Sequence, residues 1–316
     1  MKQFPLLFCG FFLVLSAYSQ SIVYVTPAGA GNNSGSSWTN ALSGLQLPNR
    51  VATADSGTQF WIAAGTYKPT TTTDRTASFS IASGLSVYGG FAGTEASLEQ
   101  RINGSNETIF SGDIGQEGYA QDNSQSVLWI GLFGGQTCLN GLTIRDGHRL
   151  PGDKFYYIIK QNGVGISTVF FKKKSHLLIE NCKIIENISE DFGTGGGLSV
   201  LLADSGQSNV TIKKCLFSQN QNYSGGAYLT AQYTKGIIIS LIEDCVFSNN
   251  SAVGGYGGAI YSTTYDSTVC SLKIKNSQFL SNQATYSGGS LYSNWAQCQI
   301  ESSWFVKSML GNHLWQ

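Results

Sequence analysis

A two-part motif recurs four times through the second half of this 316-residue chain. Its first part is an apolar residue, two variable positions and an asparagine: Ile184 to Asn187, Phe217 to Asn220, Phe247 to Asn250 and Phe279 to Asn282. The second part is a pair of glycines, a small residue and an apolar one. It reads Gly195-Gly196-Gly197-Leu198, Gly225-Gly226-Ala227-Tyr228, Gly257-Gly258-Ala259-Ile260 and Gly288-Gly289-Ser290-Leu291. The anchors 184, 217, 247 and 279 lie 33, 30 and 32 residues apart. A period of this size, with no helical periodicity inside it, describes a solenoid.

Within each copy, short β-rich runs are bounded by Gly, Asn and Ser. In one copy Leu241, Glu243, Cys245 and Phe247 alternate with Ile242, Asp244 and Val246, the period-two pattern of a strand with one buried face. Asn and Gly tolerate positive φ and supply corners. Two or three strands per copy then make one rung of an all-β parallel β-helix. Stacked rungs, about 4.8 Å apart, place equivalent residues above one another. Asn187, Asn220, Asn250 and Asn282 should form a hydrogen-bonded ladder, and Phe217, Phe247 and Phe279 an internal column continued by Ile184. Helical repeats are disfavoured, because 38 glycines massed in the repeats would cost helices roughly 1 kcal/mol at each interior position.

The paired Gly-Gly-Ala-Ile and Phe-x-x-Asn motifs resemble the repeats of chlamydial polymorphic membrane proteins, and more broadly the right-handed parallel β-helix proteins that share the pectate-lyase fold, which implies a right-handed helix here. The N-terminal half is similar to secreted β-helix proteins of Bacteroidetes type. That likeness rests on Tyr24-Val25-Thr26-Pro27, Gly35-Ser36-Ser37-Trp38, the run Trp61 to Pro69, Tyr88 to Glu95, and Ser111-Gly112-Asp113-Ile114. The two resemblances span most of residues 22–303 and imply a fold and export rather than an activity.

Residues 1–19 read as a secretory signal peptide: Lys2, an apolar run from Phe4 to Leu15, and the small-x-small site Ala17-Tyr18-Ser19. The run is shorter than the roughly 20 residues that cross a bilayer. The expected location is therefore secreted, extracellular or at the outer cell surface, and not integral to a membrane. Charge suggests no nucleic-acid partner. Nineteen basic and nineteen acidic residues cancel, and Lys172-Lys173-Lys174, the one basic cluster, reads as a solvated loop.

After the leader, Cys138, Cys182, Cys215, Cys245, Cys270 and Cys298 remain. An even count in an exported chain suggests disulfides. Cys182, Cys215 and Cys245, however, each precede the inward anchor by two residues, so they should stack inward. Rung spacing exceeds the 3.5–4.5 Å that disulfide Cβ atoms prefer. Buried thiols acting as small apolar residues follow, and a straight ladder cannot surround a zinc ion.

Residues 20–57 are expected to form an N-terminal cap and 58–316 one β-helix. The cap should hold a strand at Ile22–Val25 and a short helix from Trp38 or Thr39, with Pro48 ending or kinking it. Trp38, Leu42, Leu45 and Val51 would cover the first rung. Strands are expected near 59–63, 77–81, 85–91, 107–112 and 126–131, and excursions at 66–76 and 146–176. Residues 300–316 begin a rung but lack the Asn corner and the Gly-Gly return. An incomplete last rung, a truncated product and end-to-end self-association are the expectations there.

Enzymes of the pectate-lyase fold work with clustered carboxylates. Lyases add Ca²⁺ and an arginine base, whereas hydrolases pair an acid with a base. The cluster here that comes nearest is Arg145-Asp146-Gly147-His148, in which Arg145, Asp146 and His148 are candidate catalytic residues. The competing reading makes Asp146-Gly147 a corner, with Arg145 and His148 solvated. Asp113 is one carboxylate and not a metal site; no metal and no cofactor is expected, with Ca²⁺ entering only if the chain is a lyase. His176 and His313 stand alone, and Gly195-Gly196-Gly197 belongs to the repeat rather than to a phosphate loop. Tyr223, Tyr256, Tyr265, Tyr286 and Trp295, near the Gly-Gly segments, are candidate glycan-stacking residues. The sequence thus suggests a secreted or surface β-helix of adhesive, scaffolding or glycan-binding type. Its alternative is a polysaccharide lyase or glycoside hydrolase, and the partner in either case is a polysaccharide or cell-surface glycan.

Overall fold

The computed structural model describes residues 21–153 except 103, then 163–171, 174–191, 195–203, 206–232, 236–264, 269–294, 296–307, 309–310 and 313–314. The leader expected at 1–19, Tyr265 and Trp295 lie outside these residues. Among the described residues, strands form four sheets of ten, eight, seven and seven members. The chain is a right-handed parallel β-helix. One rung runs Ser175–Glu180, Lys183–Ile185, Ile188–Ser189 and Leu198–Leu202, contributing one strand to each of the four sheets in turn. The next, Gln207–Lys213, Leu216–Ser218, Gln221–Asn222 and Tyr228–Gln232, pairs with it in parallel throughout.

A rung therefore has four strands rather than two or three, because single residues turn the chain. Asn181, Lys214, Asp244, Asn276 and Ser302 all have positive φ, between 46° and 55°, at the junction of the first and second sheets. Glu186, Gln219, Asn249 and Ser281 do the same between the second and third. The left-handed conformation costs non-glycine residues roughly 1–2 kcal/mol each. The corner N–H groups nonetheless stay in the ladder, as when Lys214 N–H donates to the Glu243 carbonyl at 3.0 Å. This corner also corrects the expected strand through 241–247. Asp244 reverses the parity, so Ile242 is buried on one sheet and Cys245 and Phe247 on the next, while Leu241 and Val246 face outward and are only partly covered.

The expected columns are present. Asn187, Asn220, Asn250 and Asn282 are fully buried. Each side-chain oxygen accepts from the residue one rung earlier: Asn282 Oδ1 takes the Asn250 main-chain N–H at 3.0 Å and its Nδ2 at 2.9 Å. Asn282 Nδ2 in turn donates to the Phe247 carbonyl at 2.9 Å. Beside this ladder the rings of Phe217, Phe247, Phe279 and Phe305 lie parallel with centroids 4.9, 4.8 and 4.5 Å apart. Ile184 pairs with Phe217 and extends the column. Offset stacking at such distances adds about 0.5–1.5 kcal/mol per pair beyond burial.

Cys182, Cys215 and Cys245 are buried free thiols whose Sγ atoms donate to the carbonyls of Glu180, Lys213 and Glu243 at 3.3, 3.1 and 3.2 Å. Ser277 and Ser303 follow them and make the same bond to Lys275 and Glu301, at 2.7 and 2.9 Å. The position selects a small group that can donate backward. On the outer face of the first sheet, Glu180, Lys213, Glu243, Lys275 and Glu301 stand in one register column with strictly alternating charge. Lys213 Nζ lies 2.9 Å from Glu243, and Lys275 Nζ 3.7 Å from Glu301.

The N-terminal segment departs from expectation in four respects. Ile22–Thr26 and Leu42–Ser43 are members of the first sheet, so the segment begins the stack as well as closing it. The turn at Trp38–Asn40 is a short 3₁₀ helix, and the α-helix is Leu47–Thr53. Pro48 sits in its first turn, where a missing N–H has no partner to lose, so it starts the helix rather than ending it. Leu47 and Val51 are buried, and Trp38 packs on Tyr24 and Phe91 at 4.9 and 5.4 Å. Leu45 is 72% exposed and covers nothing, since it precedes the helix whose face turns inward.

The excursion expected over 146–176 is narrower, because His148–Arg149 and Ile166–Phe170 are ladder strands paired with the following rung. At the other end, Gln297–Glu301, Trp304–Val306 and Met309–Leu310 pair in register with the previous rung, and His313–Leu314 returns antiparallel to Met309–Leu310. Ile300, Trp304, Phe305 and Val306 are each more than 40% exposed on this rung.

Candidate functional site

Residues flanking the Gly-Gly segments on the outer face carry a cluster of four tyrosines. Gly225 and Gly257 have φ near 65°, and a side chain at Gly226 or Gly258 would run into the glycine carbonyl of the next rung. This tight return aligns the residues beyond it. Leu229, Tyr261 and Tyr292 fall in one register column on the outer face of the fourth sheet. Tyr261 and Tyr292 stack with centroids 5.6 Å apart and planes 11° apart. Tyr256 leans on Tyr292 at 4.6 Å, and Tyr286 on Tyr256 at 5.6 Å, leaving Tyr286 57% exposed.

Of the expected aromatic residues, then, Tyr256 and Tyr286 come together. Tyr223 lies one rung away with its ring packed under Gly254, where any Cβ would collide with it. Tyr261 and Tyr292 were missed by sequence reasoning. Their signal was available: each is the outward neighbour of the inward apolar residue that ends the second motif.

The Arg145-Asp146-Gly147-His148 cluster is a corner. Asp146 has φ 64° and stands where Glu186 and Gln219 stand in later rungs. Its carboxylate accepts from Ser111 Oγ at 2.7 Å and from Arg145 Nε at 2.9 and 3.0 Å, while Arg145 Nη2 reaches Glu186 at 2.6 Å. Burial acts to lower the Arg145 pKa, but its bond to Asp146 and the charges of Asp146 and Glu186 raise it overall. Gly147 N–H donates to Asn187 Oδ1 at 3.1 Å and opens the asparagine ladder.

His148 is not solvated: it is 5% exposed, with Nδ1 2.9 Å from the Ala120 carbonyl and Nε2 2.9 Å from Glu190. The inward pairing of His148–Arg149 with Ile188–Ser189 carries it under the neighbouring loop. Next to it Arg149 is fully buried. Burial lowers its pKa to about 10, against the opposing charges of Asp153 and Asp191, so it stays cationic at neutral pH. His176 Nε2 meets Thr211 Oγ1 at 2.9 Å, and burial lowers its pKa.

The two carboxylates singled out for Ca²⁺ chemistry, Asp146 and Asp113, already have partners. Asp146 is taken up by Ser111 and Arg145, and Asp113 accepts the Gly118 N–H with both oxygens at 3.2 Å and lies 3.9 Å from Lys68. Among the described residues no three His, Cys, Asp or Glu side chains gather around one point. No helix of the described residues is long and apolar enough to cross a membrane.

Residues 244–263, from the corner at Asp244 through the Gly-Gly return to the strand at Ile260–Thr264, match the Chlamydia polymorphic membrane protein repeat. The match covers the last three strands of one rung and not its first-sheet strand Ile237–Glu243, and the register ties three more rungs to it. No curated protein and no solved structure matches the chain.

Proposed function

We propose that this protein is an exported, surface-displayed β-helix that binds glycans through the outer faces of its rungs and holds no reaction centre of its own. The tyrosine platform carries this reading: Tyr256, Tyr261, Tyr286 and Tyr292 gather on one outer face, and the most exposed ring is the outermost. Flat rings with a polar tip suit the apolar face of a sugar and its hydroxyls together. The polymorphic-membrane-protein repeat favours a surface role, and the resemblance of the sequence motifs to pectate-lyase-fold proteins favours a polysaccharide partner. Glycan-array binding of the wild-type protein, compared with Tyr286→Ala and Tyr292→Ala, tests it. Loss of signal in both variants at unchanged thermal stability supports the platform, whereas binding that neither variant alters removes it. Turnover of a polysaccharide that Asp146→Ala abolishes would instead establish the enzymatic alternative.

A further inference from the structure

At the opposite end of the fourth sheet from the tyrosines lies a polar cavity of about 290 Å³, lined by Asp74, Thr76, Ala77, Ser78, Ser80, Ser126 and Trp129. Its volume is near the lower end of ordinary small-ligand pockets, roughly 300 Å³. The alternation of the strands builds its floor. Phe79 and Ile81 point into the core, which turns Ser78 and Ser80 outward; Leu128 and Ile130 point in, which turns Trp129 outward beside Ser80. Trp129 also lies flat on the sheet. A Cβ at Gly131 would come within 2.7 Å of its ring, so this glycine makes the room for it.

The wall of the cavity is held in place. Arg75, between the lining residues Asp74 and Thr76, donates Nη1 and Nη2 to the two Asp153 oxygens at 2.6 and 3.0 Å. It also donates Nε to the Asn123 carbonyl at 3.0 Å and Nη2 to the His148 carbonyl at 2.8 Å. Its own carbonyl accepts the Gln125 N–H at 2.8 Å. The Asp74 carboxylate accepts from Thr76 N–H and Oγ1 at 3.0 and 2.7 Å, so it sits in a fixed direction at the rim. A pocket already ordered loses less freedom on binding.

An indole floor, four hydroxyl side chains and one fixed carboxylate acceptor are complementary to a pyranose ring. The ring's C–H face would rest on Trp129 while its hydroxyls bond Asp74, Thr76 and the serines. A negative charge at the rim repels a sugar that carries its own carboxylate. We propose that this cavity is a binding subsite for one uncharged pyranose unit of a glycan, with Trp129 as the stacking residue and Arg75 as the positioning residue that fixes the wall. The subsite stands apart from the tyrosine platform. In the register column from Trp129 to Tyr261 come Ser167, Ser199 and Leu229, all buried, over a distance of about 19 Å at the usual rung spacing.

Calorimetric titration of the full chain with glucose, galactose and N-acetylhexosamine oligosaccharides, and with oligogalacturonate, tests it. Saturable binding of at least one uncharged series and none of the uronate is expected. Trp129→Ala should weaken it by roughly tenfold or more, and Trp129→Phe should retain most of it. Arg75→Met should weaken binding while leaving the uronate excluded, and Asp74→Asn should admit the uronate. Thermal melts of each variant verify folding. Absence of uncharged-glycan binding, equal binding of the uronate, or indifference to Trp129→Ala in a folded variant would overturn the proposal. Tyr286→Ala, run in parallel, separates it from the platform: a subsite ligand is insensitive to that change.

Discussion

Asn250 presents its side-chain oxygen to two donors of Asn220, the main-chain N–H and the side-chain amide, both at 3.1 Å. Its own Nδ2 donates to the Phe217 carbonyl at 3.0 Å and to Asn282 Oδ1 at 2.9 Å. Replacing Asn250 by Ala strands several buried polar groups at once, each worth about 1–3 kcal/mol when left unpaired. Chemical denaturation should register a loss of at least about 3 kcal/mol. Asn250→Asp should be damaged too, because a carboxylate accepts from Asn220 but gives nothing to Phe217 or Asn282.

The phenylalanine column should be graded along its length. Phe247 is fully buried between two parallel rings, and Phe247→Ala is expected to cost about 3–5 kcal/mol. Phe305 covers only one ring and is 41% exposed. Phe305→Ala should cost less than half as much in the same denaturation assay, and equal losses would contradict the order of the column.

Among the six cysteines of the described residues, labelling should separate one thiol from five. Cys298 is exposed, whereas Cys138, Cys182, Cys215, Cys245 and Cys270 are buried, and burial pushes the Cys138 pKa up to about 12. Maleimide at neutral pH is expected to modify Cys298 alone in the native protein, more slowly than a peptide thiol because desolvation raises its pKa as well. The other five should react only with unfolding. Mass spectrometry of the labelled peptides reads the pattern, and early labelling at Cys215 would disprove the inward ladder.

Acid should weaken one surface link in a defined window. Glu107 accepts from Lys183 Nζ and from Thr143 Oγ1, both at 2.8 Å, and these bonds hold its pKa below the ordinary value. A carboxylate with a depressed folded pKa stabilises the fold above the unfolded value, about 4.3, and that contribution is lost as pH falls through the folded value. Melting curves of wild type and Glu107→Gln should therefore differ at pH 7 and draw together as pH falls below the unfolded value of about 4.3. A difference that widens in acid would reverse the assignment.

The columns were legible because Phe217 and Phe247, or Asn220 and Asn250, are identical residues at identical places in successive copies. The corners were not. Lys214, Glu186 and Gln219 adopt left-handed conformations that their identities do not announce, and the ladder bonds of the stack hold them there. One hidden corner, at Asp244, reversed the apparent parity of its strand. Tyr256 and Tyr286 were legible as a group near the glycines, whereas Tyr261 and Tyr292 required knowing which face each strand turns outward. Trp129 and Arg75 gave no signal, since the strand and the loop that carry them lie on two adjacent early rungs outside the recurring motif. His148 looked titratable and accessible in sequence, but it is buried and lends its carbonyl to Arg75.

The column Glu180, Lys213, Glu243, Lys275, Glu301 imposes a parity rule on the length of this protein. Each rung carries the sign opposite to its neighbours, and like charges set directly opposite on adjacent strands are destabilising. Duplicating or deleting one rung would lay carboxylate on carboxylate or ammonium on ammonium, whereas gaining or losing two restores the alternation. The same arithmetic penalises a strand that slips by one rung during folding. Growth of such a stack by recombination is therefore favoured in pairs of rungs.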